Sequence, residues 1–248
     1  NEVNEIHIEQ LCTTLEARGL SGSTINRYLA SLSKMLRYAL KKHAIYYMDR
    51  MPHIEWHEEG KARVRYMLPE EEKEMIRILR KEQKDDYLNF FLFLLDTGMR
   101  LSEALYLKVA NIGELENKKY AILEDTKNGD TRSVPLTERA AGIVETYSRH
   151  SERNDRIFNL NVWKVERAWR SLRESMGLED DKQFVIHCLR HTCASRLAQS
   201  GKVELHLIQN WLGHRTYAMT QRYAHLKPSS LLGATGVLNA LQKQSSNG

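Results

Sequence analysis

One run near the C-terminus, HCLRHTCASRLAQSGKVELHLIQNWLGHRTYAMTQRYAHL, holds His187, Arg190, His214 and Tyr223. A second arginine, Arg100, stands far upstream in DTGMRLSEAL, and Lys127 lies between them in EDTKNGDTRSVPL. A tyrosine oxygen can attack phosphorus, while guanidinium and imidazole groups can bind phosphoryl oxygens as negative charge builds on them. Arginine suits that task because its planar fork reaches two oxygens at once and stays charged at any working pH. A phenol ionises at about pH 10 in water. It therefore needs nearby cations to lower that cost, or a base to take the proton.

Spacing narrows the assignments. His187 and Arg190 are three positions apart, adjacent on one helical turn. Glu103 stands three positions after Arg100, where it can orient that guanidinium or simply form an i,i+3 ion pair. His191 follows Arg190 directly. Tyr217 is three residues beyond His214 and Tyr223 nine, and by residue type either could supply the phenol. Lys127 precedes Asn128-Gly129, a strong hairpin-turn signal, and Arg132 across that turn is its nearest rival. Taken singly, each of these is an ordinary surface or core residue. Their joint occurrence is what points to chemistry.

On these residues the chain resembles the tyrosine recombinase family, and within it the phage integrase type. TGMRLSEAL resembles the family's first arginine motif, HCLRHTCAS its His-x-x-Arg box, and LGH with a tyrosine nine residues later is highly specific. The resemblance is close from about Leu68 to Leu226 and looser before it. It implies that Tyr223 attacks a scissile phosphate, leaving a 3′-phosphotyrosyl link and a free 5′ hydroxyl. Arg100, His187, Arg190 and His214 would stabilise the pentacoordinate state, with Glu103 and His191 in supporting roles. Lys127, on the corresponding β-hairpin, would enter the DNA minor groove and protonate the leaving oxygen, a contribution of about 10²–10⁴-fold. The resemblance also implies a double-stranded recombination site as substrate, a homotetramer on DNA, accessory DNA-bending proteins, and no metal or cofactor. The sequence has no HExxH, no paired cysteines and no GxxxxGK[ST] loop. A type IB topoisomerase shares the Arg, Lys, Arg, His and Tyr set, but the small N-terminal helical domain and the His214-to-Tyr223 spacing favour a recombinase. A catalytically inactive DNA-binding regulator would have no physical need to keep all six residues.

The elements that must position them read as mainly α with a small antiparallel β-sheet. An N-terminal helical bundle (1–55), an interdomain linker (56–66) and a larger α+β catalytic domain (67–248) are expected. IHIEQLCTTLEARGL has helical spacing and ends at Gly19. The next helix, from Thr24 to about His43, carries Ile25, Tyr28, Leu29, Leu32, Met35, Leu36 and Leu40 on one side. Its polar positions include Thr24, Asn26, Arg27, Lys34, Arg37, Lys41 and Lys42, with no Asp or Glu between Ser21 and His43. That is either a solvated basic face or, as its single sign and interleaved hydroxyl and amide donors favour, a tracker of the DNA backbone. Arg63 and Arg65 in the linker are either further DNA contacts or ordinary linker charges. YLNFFLFLLDTGM reads as a buried helix, RLSEALYLKVANI as an amphipathic one, and YAILEDTKNGDTRSVPL as a hairpin. A short apolar helix at about 229–243 is expected to dock on a neighbouring subunit or fold back in cis.

Composition permits all of this without demanding it. The 248 residues are 42% apolar and carry a formal charge of +5 with a pI near 9.0, mildly basic. Cys12, Cys188 and Cys193 have no repeated spacing and read as free thiols in a reducing cytosol. No apolar run approaches the roughly 20 residues of a membrane span. The chain opens on Asn1 and mid-pattern, as a piece of a longer protein would.

Overall fold

The computed structural model describes residues 3–41, 50–58, 64–125 and 130–226. Lys42, Arg63, Lys127 and the expected tail helix at 229–243 lie outside the described residues, so the expectations attached to them are not placed. The chain divides into two units, Asn1–Arg63 and Val64–Gly248. The division falls inside the expected linker, but Trp56, His57 and Glu58 belong to the first unit.

In that first unit, Asn4 caps helix α1 (Glu5–Ala17), accepting from the His7 backbone N–H at 3.2 Å. Gly19, at φ +72°, ends the helix in the left-handed region that glycine enters without strain. Helix α2 (Gly22–Lys41) packs Ile25 and Leu29 against Ile8 and Leu15. Its outer face exposes Arg27, Lys34, Arg37 and Lys41, as the pattern predicts. Tyr28, Met35 and Tyr38 share that exposure at 52%, 68% and 58%, although hydropathy assigns Tyr28 and Met35 to the core side. A 100° helical step places them beside the basic residues rather than over Leu29 and Leu36.

Asn26 departs from its expected role as a DNA donor. It is buried, and its amide clasps the backbone of His57, donating to the carbonyl and accepting from the N–H at 2.9 Å each. A buried amide that satisfies an extended segment's backbone is not available to a phosphate. Thr24 remains at the helix start, its hydroxyl 3.1 Å from that of Ser21.

The second unit is built around α4 (Asp85–Thr97) and α8 (His187–Gln199), both buried nearly all round. Before them, α3 (Pro69–Lys81) starts with proline in its first turn and Glu70, Glu71 and Glu72 at the positive end of its dipole. Phe91 meets Trp169 of α7 (Val162–Ser175) edge-on at 5.1 Å, and the Trp169 indole donates to the Phe184 carbonyl at 3.0 Å. Truncating such a buried aromatic costs about 3–5 kcal/mol. Helix α5 (Leu101–Leu105) is shorter than expected, because residues 107–113 pair with other chain segments instead of continuing it. Val109 and Ala110 donate to the carbonyls of Asp155 and Arg153, and the Leu107 carbonyl accepts from Ile157. Beyond that bend comes β1 (Ile112–Leu115), a strand that the helical period of RLSEALYLKVANI conceals. It pairs antiparallel with β2 (Lys118–Asp125), which pairs in turn with β3 (Asp130–Pro135) in order β1-β2-β3. The β2–β3 register sets Leu123 opposite Arg132 and Asp125 opposite Asp130. Helix α6 (Glu138–Ser148), capped by Thr137, packs on α4.

Arg65 is also a correction. Its place in the linker suggests a DNA contact or a solvated charge, yet it donates to Glu71 at 2.9 and 2.5 Å and to Asp181 at 2.8 Å, with its guanidinium over the Phe184 ring. Two carboxylates and an aromatic face hold it within this unit. Among the described residues no helix is long and apolar enough to cross a membrane.

Candidate active site

Two left-handed glycine turns organise the site. Gly98 closes α4 at φ +64°, and Gly213 closes α9 (Leu205–Leu212) at φ +64°. Each turn leaves helix-end carbonyls without intrahelical partners, and arginines take them. Arg190, buried on α8, donates Nη1 to the Gly98 carbonyl at 2.7 Å and Nη2 to the Leu212 carbonyl at 2.6 Å. Arg100, at the start of α5, donates Nη2 to the Gly213 carbonyl at 3.0 Å and Nη1 to Glu103 Oε1 at 2.7 Å. A guanidinium carries five N–H donors, so each arginine keeps donors for a phosphoryl oxygen. Residues some 90 and 113 positions apart thus meet at one point.

The three histidines and the tyrosine complete the cluster. His187 opens α8, and its ring meets that of His191 edge-on at 4.7 Å. His191 Nδ1 is 2.5 Å from the Tyr223 hydroxyl, a hydrogen bond that the adjacency of His191 to Arg190 in sequence does not reveal. His214, just past the Gly213 turn, stacks its ring parallel to Tyr223 with centroids 6.4 Å apart, and its Nδ1 pairs with Thr220 Oγ1 at 2.8 Å. Tyr223 follows α10 (Tyr217–Gln221) and is 1% exposed among Ala194, Ala198, Ile208 and Leu212. Its rival Tyr217 is 49% exposed, at the first position of that helix.

Burial and positive charge set the protonation states. Burial, then Arg190 and Arg100, push His214 down to about 4. Burial, His187 and Arg222 push His191 down to about 4, and burial with Arg190 lowers His187 too. Burial raises Tyr223 to about 12, outweighing Arg222 and Arg190, which pull the other way. At neutral pH the site therefore holds a phenol and neutral imidazoles among cationic guanidiniums. A phenol in this state could act as a nucleophile only by losing its proton as it attacked, and in its Nε2–H tautomer His191 presents Nδ1 as an acceptor.

Glu103 stands against this excess of positive charge. Burial raises its pKa, but hydrogen bonds and charge from Arg132 and the Arg100 backbone N–H more than reverse this, leaving it below the ordinary carboxylate value. Arg132 therefore faces the cluster and is held there, with its side chain 16% exposed. Its placement, the Thr220 contact and the charge from Arg222 all escape sequence reasoning. The one available signal was two glycines, each directly after a helix whose final carbonyls needed donors. Lys127 lies outside the described residues, in the connection between the ends of β2 and β3.

The sequence pattern of the phage integrase family matches residues 65–230. A shufflon-specific DNA recombinase of Escherichia coli is 29% identical over 86% of this chain, and the chain spans 53% of that protein. The integrase of Salmonella phage P22 is 27% identical over 82% of the chain and 54% of its own length. The chain thus spans about half the length of these two relatives. The tyrosine recombinase XerA of Pyrococcus furiosus is 26% identical over 95% of the chain and 94% of its own length. Among solved structures, XerH site-specific recombinase bound to its difH substrate in a pre-cleavage complex superposes with a TM-score of 0.73. It is 20% identical, covering 95% of this chain and 71% of its own, and this likeness shows the fold.

Proposed function

The chain belongs to the phage integrase family, and from that premise we propose that it is a site-specific DNA recombinase, cutting and rejoining double-stranded DNA through a 3′-phosphotyrosyl link. The observation that carries this reading is that two glycine turns gather Arg100, Arg190 and His214, and that the His214 ring stacks on Tyr223, which is hydrogen-bonded to His191. The Tyr223 oxygen bonds to phosphorus, its proton passes to an imidazole, and the bond from phosphorus to the 5′ oxygen breaks. Arg100 and Arg190 turn their remaining N–H groups to the equatorial oxygens, with His187 and His214 alongside. Lys127 gives the leaving oxygen its proton. A 5′ hydroxyl from a partner duplex then attacks the phosphotyrosine and restores the phenol, so bonds and protons balance without an external energy donor. The relatives' names, recombinase and integrase, support this activity, and the shufflon-specific DNA recombinase's name supports DNA as substrate. Assembly as a homotetramer on DNA, accessory DNA-bending proteins and a cytoplasmic setting belong to the same proposal.

A nicked suicide substrate, which loses its short 5′ fragment after cleavage, tests it directly. A covalent protein–DNA adduct is expected on a denaturing gel, and two-site recombination should accompany it. Relaxation of supercoils without recombination would instead favour the topoisomerase reading.

The general-acid role of Lys127 has its own test. Lys127→Ala should cut cleavage by about 10²–10⁴-fold. A substrate with sulfur at the bridging 5′ position should restore the rate, because a thiolate departs without a proton. Failure of that substrate to help would remove the role from Lys127.

The outer face of α2 is proposed as the backbone contact of the first unit, on the exposure of Arg27, Lys34, Arg37 and Lys41. Replacing Arg27, Lys34 and Arg37 by Ala should flatten the log–log salt dependence of binding by about 0.9 unit for each phosphate no longer neutralised. An unchanged slope would make this a merely solvated face.

A further inference from the structure

We propose that Arg132 is a positioning residue that keeps Arg100 available to the scissile phosphate, an inference that rests on the recombinase reading. Arg132 sits on β3, on the strand that leaves the Asn128-Gly129 connection, and its guanidinium turns inward. Its Nη2 donates to Glu103 Oε2 at 2.7 Å, and its Nε donates to the Trp211 carbonyl at 3.3 Å. The guanidinium also lies flat against Gly213. A Cβ there would stand 2.8 Å from Nη1 and 2.9 Å from Cδ and Cζ of Arg132. The same Gly213 offers its carbonyl to Arg100, and the other oxygen of Glu103, Oε1, also goes to Arg100. The contacts close a ring: Arg132 to Glu103, Glu103 to Arg100, Arg100 to Gly213, and Gly213 back onto Arg132.

The chemistry of that ring gives Arg132 its task. A carboxylate and a guanidinium free to choose will pair through two parallel hydrogen bonds. Glu103 and Arg100 do not, because Arg132 and the Arg100 backbone N–H, at 2.7 Å, occupy Oε2. Among the described residues Arg100 keeps one side-chain bond to Glu103 and a second to the Gly213 carbonyl, and its other guanidinium donors have no partner there. Without Arg132, the half-buried carboxylate would lose its strongest partner and draw Arg100 into a two-pronged pair. The donors meant for phosphoryl oxygens would turn inward. The Arg132 donors go to Glu103 and to the Trp211 carbonyl, and a guanidinium that stays charged is a poor proton donor, so the ring also weakens its claim as a rival to Lys127.

The test measures covalent adduct formation on the suicide substrate together with DNA affinity. Arg132→Ala should lower the cleavage rate by about 10²-fold, comparable to losing one oriented donor, with DNA affinity little changed. Adding Glu103→Gln should recover about tenfold of that loss, because a neutral amide no longer competes for Arg100, and sites in direct contact are non-additive. A merely structural role predicts the opposite, a double variant no faster than the single. Arg132→Lys, which keeps a charge for Oε2 but not the fork, should fold and cleave at an intermediate rate; it carries the test if the Ala variant proves unstable. The bridging-sulfur substrate should not restore Arg132→Ala, since proton donation is not what is lost. Wild-type cleavage by Arg132→Ala or Arg132→Lys, rescue by sulfur, or a double variant without recovery would each overturn the proposal. Absence of any adduct with the wild-type protein would instead count against the recombinase reading itself.

Discussion

Tyr223→Phe is expected to abolish the covalent DNA adduct completely, while Tyr217→Phe leaves it at the wild-type level. The substitution removes the one atom that bonds to phosphorus, so no residual rate is expected from a rearranged site. The two tyrosines are six residues apart, but the fold separates them sharply. Tyr223 is 1% exposed, stacked on His214 and hydrogen-bonded to His191, whereas Tyr217 is 49% exposed at the start of α10. Phenylalanine fits the apolar surroundings of Ala194, Ala198, Ile208 and Leu212. Among the described residues the hydroxyl's one hydrogen bond is to His191, and its loss costs about 1 kcal/mol. Thermal unfolding should therefore shift little and DNA binding persist, which separates loss of the nucleophile from loss of the fold. Loss of the adduct in Tyr217→Phe alone would reverse the assignment.

Arg190→Met is expected to lower cleavage by about 10²–10³-fold, the scale for removing a donor aimed at a developing negative charge. Its effect on stability is the sum of two opposed terms. Burial, with Arg100 beside it, depresses the Arg190 pKa to about 10, so the folded state bears a penalty for holding this charge. A folded pKa below the unfolded one means that deprotonation would relieve the penalty only as pH rises past about 10. From pH 5 to 9 the cost is constant. Methionine removes that penalty but leaves the carbonyls of Gly98 and Leu212 without their donors, at about 1–3 kcal/mol each. The activity loss should thus far exceed what any change in Tm explains. Arg190→Lys should fare little better, because one ammonium cannot bridge two carbonyls that cap different helices and still face a phosphate. A near-normal cleavage rate in either variant would place the second arginine outside the reaction.

Local order was largely legible in the residues. The α4 helix, the helical turn from His187 to Arg190 in α8, the basic outer face of α2 and the β2–β3 hairpin all follow from periods of 3.6 or 2 and from turn residues. Those patterns are written by neighbours a few positions apart. The misreadings also have local causes. RLSEALYLKVANI keeps a helical period past Leu105, but Leu107, Val109 and Ala110 find backbone partners at Ile157, Asp155 and Arg153, Ile112 and Gly113 pair with β2, and the helix stops. Tyr28 and Met35 look like core by hydropathy and stand outside by angle.

What the sequence determined by itself was the inventory of the candidate site and its internal spacing: an arginine after a glycine turn, His187 three positions before Arg190, and Tyr223 nine after His214. Only the tertiary structure decided what these residues touch. Arg100 reaches Gly213, Arg190 reaches both Gly98 and Leu212, and Arg132 joins Glu103 from a strand 29 positions away. Asn26 and Arg65, polar residues in segments that invited a DNA role, are turned inward by a backbone clasp and by two carboxylates. The reason is physical. Helical or strand character is a property of adjacent residues, but a side chain's hydrogen-bond partner is chosen among groups that only packing brings within about 3 Å, and no local pattern encodes which distant carbonyl will be left unpaired there.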